Sequence, residues 1–325
     1  MQLIAKNGLR IMQLTDIHIG SYPFEPKDLQ TFAALRATIP AVDPDLIMIT
    51  GDLIWSEGVD QPQRGYQALV DLFNEFDYPI AMTYGNHDSE ETIDRSDLRQ
   101  LEKGFKNLIA KQNVFVDSRN KECYTFELGN DTGVTNVCYV FDSGNHGDLP
   151  GTDYDWISLE QIAWYERTHA AYLQNVGVTQ DLVFLHIPLP EYLQAGEHVL
   201  AGHFWEDDRR VSGAVLNTGL FAHLRANNHV AGVFCGHDHD NNFDGEFLGI
   251  HLIYGNVSGY NCYGQLPRGY RMITVNPTGL TTALHHYELP GVAAKAPFSH
   301  EHLAELARFA TRDLDLDQRH DFWKQ

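Results

Sequence analysis

Seven residues of this sequence form a supply of metal ligands: Asp16, His18, Asp52, Asn86, His186, His237 and His239 contribute two carboxylates, one amide and four imidazoles. Nitrogen and oxygen donors in that proportion suit two borderline divalent or trivalent ions, with Fe, Mn and Zn as candidates. In Asp16-Ile17-His18 and His237-Asp238-His239 the spacing is i, i+2. Alternate residues of an extended chain project to one side, so both members of each pair can reach an ion. A carboxylate such as Asp52 can bridge two cations, and shared ligation holds them ~3.5–4 Å apart, the separation used for in-line displacement at phosphorus.

The elements that must position these residues are legible as short apolar runs that stop at them. Residues 9–15 read as a strand that ends at Asp16, and a helical pattern follows from Lys27 to about Thr38. Leu46-Ile47-Met48-Ile49-Thr50 is β-branched and apolar, as a strand covered on both faces should be, and ends at Gly51-Asp52. A helix over about 64–76 leads to a third strand, 79–84, which ends at Gly85-Asn86-His87-Asp88. This alternation predicts right-handed crossovers and a largely parallel sheet, with ligands at the carboxyl ends of its strands.

Later in the chain the pattern repeats: 181–185 runs into His186, and 230–235 runs into Gly236-His237-Asp238-His239. Two strands (122–127 and 135–141), a loop over 143–156 and a helix opened by the capping box Ser158-Leu159-Glu160-Gln161 lie between. Residues 191–213 read as a loop over the site. Short strands at 251–254, 271–275 and 282–287 suggest a second sheet. A domain over 1–290 is expected to be followed by a helical extension, 291–325, capped by Ser299 and packed on it through Leu303, Leu306, Ala307 and Ala310.

Composition narrows the function classes. The 325 residues carry 23 Lys+Arg against 44 Asp+Glu, a formal net charge of −21, and no basic cluster longer than Arg209-Arg210. Binding of a nucleic-acid polymer rests on cations that neutralise phosphates, so no such partner is expected. No stretch approaches the ~18 apolar residues of a membrane span, and Met1–Arg10 lacks the apolar core of an export signal, so no membrane partner and a cytoplasmic location are expected. Cys123, Cys138, Cys235 and Cys262 form no C-x-x-C pair and read as free thiols. The sequons at Asn130 and Asn256 read as accidental.

The set D-x-H, G-D, G-N-H-D, a lone His and G-H-x-H, in this order over residues 9–255, resembles the calcineurin-like metallophosphoesterase family. The resemblance implies an α/β fold, a four-layer αββα sandwich of two mixed β-sheets flanked by helices. It also implies one metal held by Asp16, His18, Asp52 and His239 and the other by Asp52, Asn86, His186 and His237. Asp142-Ser143-Gly144, Tyr154-Asp155-Trp156-Ile157, Gln161, Trp164, His186-Ile187-Pro188 and residues 249–255 are similar to the purple-acid-phosphatase-like, Dcr2-related branch. Purple acid phosphatases carry a tyrosine ligand three residues after the G-D aspartate, whereas this chain has Trp55, so a protein without purple colour is expected. The acid that protein Ser/Thr phosphatases place there is also missing.

The activity expected is hydrolysis of phosphomonoesters by in-line attack of a metal-bridging hydroxide, with a small phosphorylated substrate. By that resemblance Asn86 would donate to the phosphoryl group and His87, not itself a ligand, would protonate or stabilise the leaving oxygen. Asp88 is a candidate to orient His87, and His146, His198 and His203 are weighed as substrate contacts against plain surface residues. Tyr154, Trp156, Tyr260 and Tyr263 are weighed as pocket walls against loop packing. A phosphodiesterase acting on nucleotides or cyclic nucleotides is the alternative. A non-catalytic scaffold of the same fold would be expected to lose ligands or His87, and this chain keeps them.

Overall fold

The computed structural model describes residues 3–4, 8–20, 22–131, 133–276 and 279–288. The expected C-terminal extension lies outside these residues.

Three apolar runs give the parallel strands β2 (Leu9–Leu14), β3 (Leu46–Thr50) and β4 (Ile80–Thr83). They are joined by helices α1 (Pro26–Val42) and α2 (Pro62–Phe73), each with proline in its first turn, where the missing N–H costs nothing. β13 (Gly269–Asn276) pairs antiparallel with β2, and β14 (Gly279–His286) with β13, giving a five-stranded sheet in the order β14-β13-β2-β3-β4.

A second sheet of nine strands is built around β6 (Glu122–Asn130), β7 (Gly133–Phe141), β8 (Asp181–Phe184), β10 (Val230–Cys235) and β12 (Ile250–Tyr254), side by side in that order. β1 (Leu3–Ile4) and β5 (Gln112–Val116) pair with β6 at one edge. β11 (Asp244–Phe247) and β9 (Val199–Ala201) close the other. The late strands therefore do not form one sheet of their own. β12 pairs parallel with β10, while β13 and β14 extend the first sheet, because Ile11 and Ile273 face each other across β2 and β13. Residues 191–213 are likewise not a simple loop, since they contain α5 (Tyr192–Ala195) and β9.

The period-2 alternation of side chains sorts each strand between two cores. Leu46 and Met48 of β3 face Leu182 and Phe184 of β8 in the layer between the sheets. Ile47 and Ile49 turn the other way, onto α1, α2 and α3 (Arg95–Glu102), among Phe32, Leu35, Leu69 and Leu98. Val183 and Leu185 turn onto α4 (Leu159–Asn175) and α6 (Leu220–Asn227), among Ile162, Tyr165 and Leu224. Helices thus cover the outer faces of two mixed sheets, the αββα order expected. α4 begins at the expected capping box, with Ser158 Oγ accepting from Gln161 N at 3.2 Å and Gln161 Oε1 accepting from Ser158 N at 2.8 Å.

Cys123, Cys138 and Cys235 are buried free thiols and Cys262 is a half-buried one. Asn256 is wholly buried and donates to the carbonyl of Pro267, which leaves its sequon without access. Among the described residues no helix is long and apolar enough to cross a membrane.

Candidate metal centre

The carboxyl ends of β2, β3 and β4 in the small sheet and of β8 and β10 in the large one converge. Asp16 and His18 follow β2, Asp52 follows β3, Asn86 follows β4, His186 follows β8, and His237 and His239 follow β10. All seven are buried. Asp16, His18, Asp52 and His237 adopt left-handed backbone, with φ of 53°, 50°, 51° and 84°. Such strained positions gather where the surrounding structure over-determines them. Gly85 is required here, since a Cβ would collide with the Asp52 carboxylate.

The arrangement packs atoms able to ligate a metal against one another. His186 Nδ1–H donates to the carbonyl of Thr50 at 2.8 Å, so its Nε2 is the atom that faces Asp52 Oδ2 at 3.1 Å and Asn86 Oδ1 at 3.2 Å. His239 Nδ1–H donates to the carbonyl of Tyr263 at 3.2 Å, which aims its Nε2 at His18 Nε2, 3.2 Å away, and Asp16 Oδ1, 3.5 Å away. His18 Nε2 is also 3.4 Å from Asp52 Oδ2. A proton on His186 Nε2 is the one donor facing that buried oxygen, while Asn86 Nδ2 and His18 Nδ1 are buried with no hydrogen-bond partner. Buried ligand atoms packed together at such distances repel unless a proton or a metal cation stands between them. The donor set fits two ions: Asp16, His18 and His239 form one group and Asp52, His186 and His237 the other. Asp52 Oδ2 lies within reach of both.

Protonation states bear on this. Burial lowers the pKa of His18 to about 3 and of His237 to about 4, so both imidazoles are neutral and able to ligate at neutral pH. Burial also acts on His186, but the nearby Asp52 and Asp16 carboxylates outweigh it and raise its pKa to about 9. Burial opposes ionisation of Asp16, yet the hydrogen bond to His239 draws it down to about 2.

Around the seven stands a supporting set. Asp88 receives the backbone N–H groups of Asp52 at 2.9 Å, Ile54 at 3.0 Å and Gly85 at 2.7 Å, so it braces the loops that carry Asp52 and Asn86 and does not orient His87. Burial and the Asp52 carboxylate raise its pKa to about 7 against the pull of those donors. Glu90 takes the orienting role instead: its Oε1 lies 2.9 Å from His87 Nδ1 and 3.2 Å from His146 Nε2. The sequence signal for Glu90 is the three-residue interval that a tight helical turn over Asn86–Asp88 brings together.

Trp55 stacks on His87 with ring centres 4.1 Å apart at 20°, and its Nε1–H donates to the Glu57 carbonyl at 3.0 Å. Of the four aromatics weighed, Tyr154 sets its edge on His237 at 4.4 Å and Tyr263 stacks on His239 at 4.1 Å. Trp156 packs under the Arg119 guanidinium and Tyr260 against Tyr287, both serving loop packing. His146 reaches the site through Glu90, whereas His203 stacks on Trp205, and the His198 carbonyl accepts from Glu246 N at 3.3 Å. The Asp142 carboxylate pairs with the buried Arg95 at 2.8 Å and 3.1 Å, and Ser143 Oγ accepts from Ile187 N at 2.9 Å, which ties the loop after β7 to the segment carrying His186.

Residues 9–241 match the calcineurin-like phosphoesterase family. The chain is 29% identical over 290 residues to the Arabidopsis thaliana protein called Probable inactive purple acid phosphatase 29, spanning 80% of this chain and 74% of that one. It is 28% identical over 274 residues to Phosphatase DCR2 of Saccharomyces cerevisiae, spanning 75% of this chain and 46% of that one. In fold it is similar to the solved structure of a dimetal phosphatase from Danio rerio, with a TM-score of 0.55 at 12% identity, covering 87% of this chain and 100% of that one.

Proposed function

Since this chain belongs to the calcineurin-like phosphoesterase family, we propose that it is a di-metal phosphoesterase that hydrolyses phosphomonoesters. The single observation that carries the reading is Asp52 Oδ2, a buried carboxylate oxygen set between the Nε2 atoms of His18 and His186, 3.4 Å and 3.1 Å away. Asp16, His18, Asp52 and His239 would hold one ion and Asp52, Asn86, His186 and His237 the other. Two bound ions supply an activated water and neutralise phosphate oxygens.

This chain's own residues do the remainder. Asn86 Oδ1 faces the His186 side, which leaves its buried, unpartnered Nδ2 to donate to a phosphoryl oxygen. His87 binds Glu90 through Nδ1, so Nε2 is the atom that delivers a proton to the leaving oxygen. Burial lowers the pKa of His87, but the charges of Asp52 and Glu90 outweigh it and raise it, keeping the proton available near neutral pH. The name of the Arabidopsis relative marks that protein as inactive, so catalysis here rests on the presence of His87 beside a complete ligand set.

A cleft of about 340 Å³ lined by Gly20, Glu25, Trp55, Glu57, Val59 and Asn261 opens beside Trp55, whose ring stacks on His87. For a leaving group that enters this cleft, its two glutamates would disfavour further anionic groups, which favours simple monoesters over nucleotides carrying several phosphates. The test is hydrolysis of p-nitrophenyl phosphate beside bis(p-nitrophenyl) phosphate by protein reconstituted with Mn²⁺. Faster turnover of the monoester is expected. Preference for the diester would replace this reading with the phosphodiesterase one, and no hydrolysis by metal-loaded protein would support the scaffold.

A further inference from the structure

At the opposite end of the large sheet from the seven ligands, a second group of donors is assembled by elements distant in sequence. His169 projects from α4, Asp181 is the first residue of β8, and His229 immediately precedes β10. The Asp181 N–H donates to the carbonyl of His229 at 2.8 Å, which locks these two residues side by side. His169 Nε2 and His229 Nδ1 are 3.0 Å apart, and one ligand atom from each of the three residues lies within 4.8 Å of the others.

The Asp181 carboxylate is wholly buried. Its Oδ1 accepts from Thr179 Oγ1 at 2.6 Å and from Val137 N at 3.4 Å, but its Oδ2 has no donor. A single proton shared by the two imidazoles joins them to each other and leaves that oxygen unmet. The Tyr139 hydroxyl on the adjacent strand β7 is a further buried polar atom without a partner. The His169 ring lies beside that of Tyr165, one turn earlier in α4, with centres 5.7 Å apart at 29°.

We infer that His169, Asp181 and His229 bind a divalent transition-metal ion of the Zn²⁺ class, separate from the binuclear centre, that fastens α4 to the amino ends of β8 and β10. Two imidazoles and one carboxylate are a common donor set for that ion, and a half-buried His229 leaves the fourth position open to water. Ligands at ~2.0–2.1 Å in tetrahedral geometry stand ~3.3–3.4 Å apart, so the two rings need open by a few tenths of an ångström while the Asp181 oxygen, within 4.8 Å of them, closes on the ion. The inference does not depend on the chain being a phosphoesterase.

The test loads purified full-length protein with Zn²⁺, removes excess, and measures bound metal and thermal midpoint for wild type, His169→Gln, His229→Gln and Asp52→Asn, with far-UV circular dichroism to confirm folding. Wild type should hold one equivalent more than His169→Gln and His229→Gln, and Zn²⁺ should raise its midpoint more than theirs. Co²⁺ in this site should add visible bands that both histidine variants lose and Asp52→Asn keeps. His229→Gln decides the matter if His169→Gln does not fold. Equal metal content in wild type and the histidine variants overturns the inference. Hydrolysis of p-nitrophenyl phosphate, read on the same samples, reports on the binuclear centre alone and should persist in both histidine variants.

Discussion

Glu90 Oε1 lies 2.9 Å from His87 Nδ1, while Asp88, the nearer neighbour in sequence, turns inward to three backbone N–H groups. The carboxylate that faces the proposed general acid is thus three residues away. Glu90→Gln should keep the metals and lower the rate on an alkyl phosphate by a part of the about 10²–10⁴-fold that general acids contribute. Because the negative charge of Glu90 raises the pKa of His87, its removal should move the alkaline limb of the pH–rate profile to lower pH. An unmoved limb would separate His87 from the proton delivered to the leaving group.

His87→Ala and Asp52→Asn should fail in different ways. The first should retain metal and lose about 10²–10⁴ in rate on a poor leaving group, with a smaller loss on p-nitrophenyl phosphate, whose leaving oxygen needs no proton. The second removes the oxygen that faces both His18 and His186 and should lose metal and turnover together. Metal analysis beside the rates on the two substrates checks both.

Metal uptake at the centre should release protons. With its pKa raised to about 9, His186 carries a proton at pH 7 that must leave before Nε2 can ligate. Apparent affinity should therefore rise with pH up to about 9 and level off above it. Calorimetric titration of Mn²⁺ in buffers of different ionisation enthalpy counts the proton. An enthalpy independent of the buffer would contradict the expectation.

Iron-loaded protein should show no tyrosinate-to-iron absorption band. The residue three beyond Asp52 is Trp55, whose ring stacks on His87 and whose only polar atom donates to the Glu57 carbonyl. A visible absorption spectrum after reconstitution with ferric iron decides this directly.

Asp88→Asn should destabilise the fold by about 2–4 kcal/mol, since an amide cannot accept from all three N–H groups and sets its own NH₂ against one of them. Denaturant melts of wild type and variant give the difference. A near-zero change would mean that the two loops hold their shape without this brace.

Much of the centre was readable before the fold was known, because the end of an apolar run announces where a parallel strand delivers its side chain. Asp52 after Leu46–Thr50 and His186 after Asp181–Phe184 are examples. What was not readable depended on pairing between distant segments. Residues 269–276 join the sheet of β2, and not that of β12, through side chains such as Ile11 and Ile273 that meet only across the sheet. His169 and His229 share no local spacing that could flag them, and Glu90 reaches His87 only because the chain turns tightly after Gly85. Tyr154 and Trp156 stand two apart in one loop, yet one meets His237 and the other Arg119, a division set by how the loop lies and not by residue type.

Asp16, His18, Asp52 and Asn86 come from one sheet, and His186, His237 and His239 from the other. Each proposed ion would therefore be a rivet through two plates. A sliding of one sheet over the other by a fraction of a side chain would open both coordination shells together while leaving every strand intact. Ion retention would then report interlayer alignment, failing early under heat or denaturant while secondary structure persists. Conversely, loaded ions would resist that slippage, so the rate at which metal escapes would measure how often the two plates part.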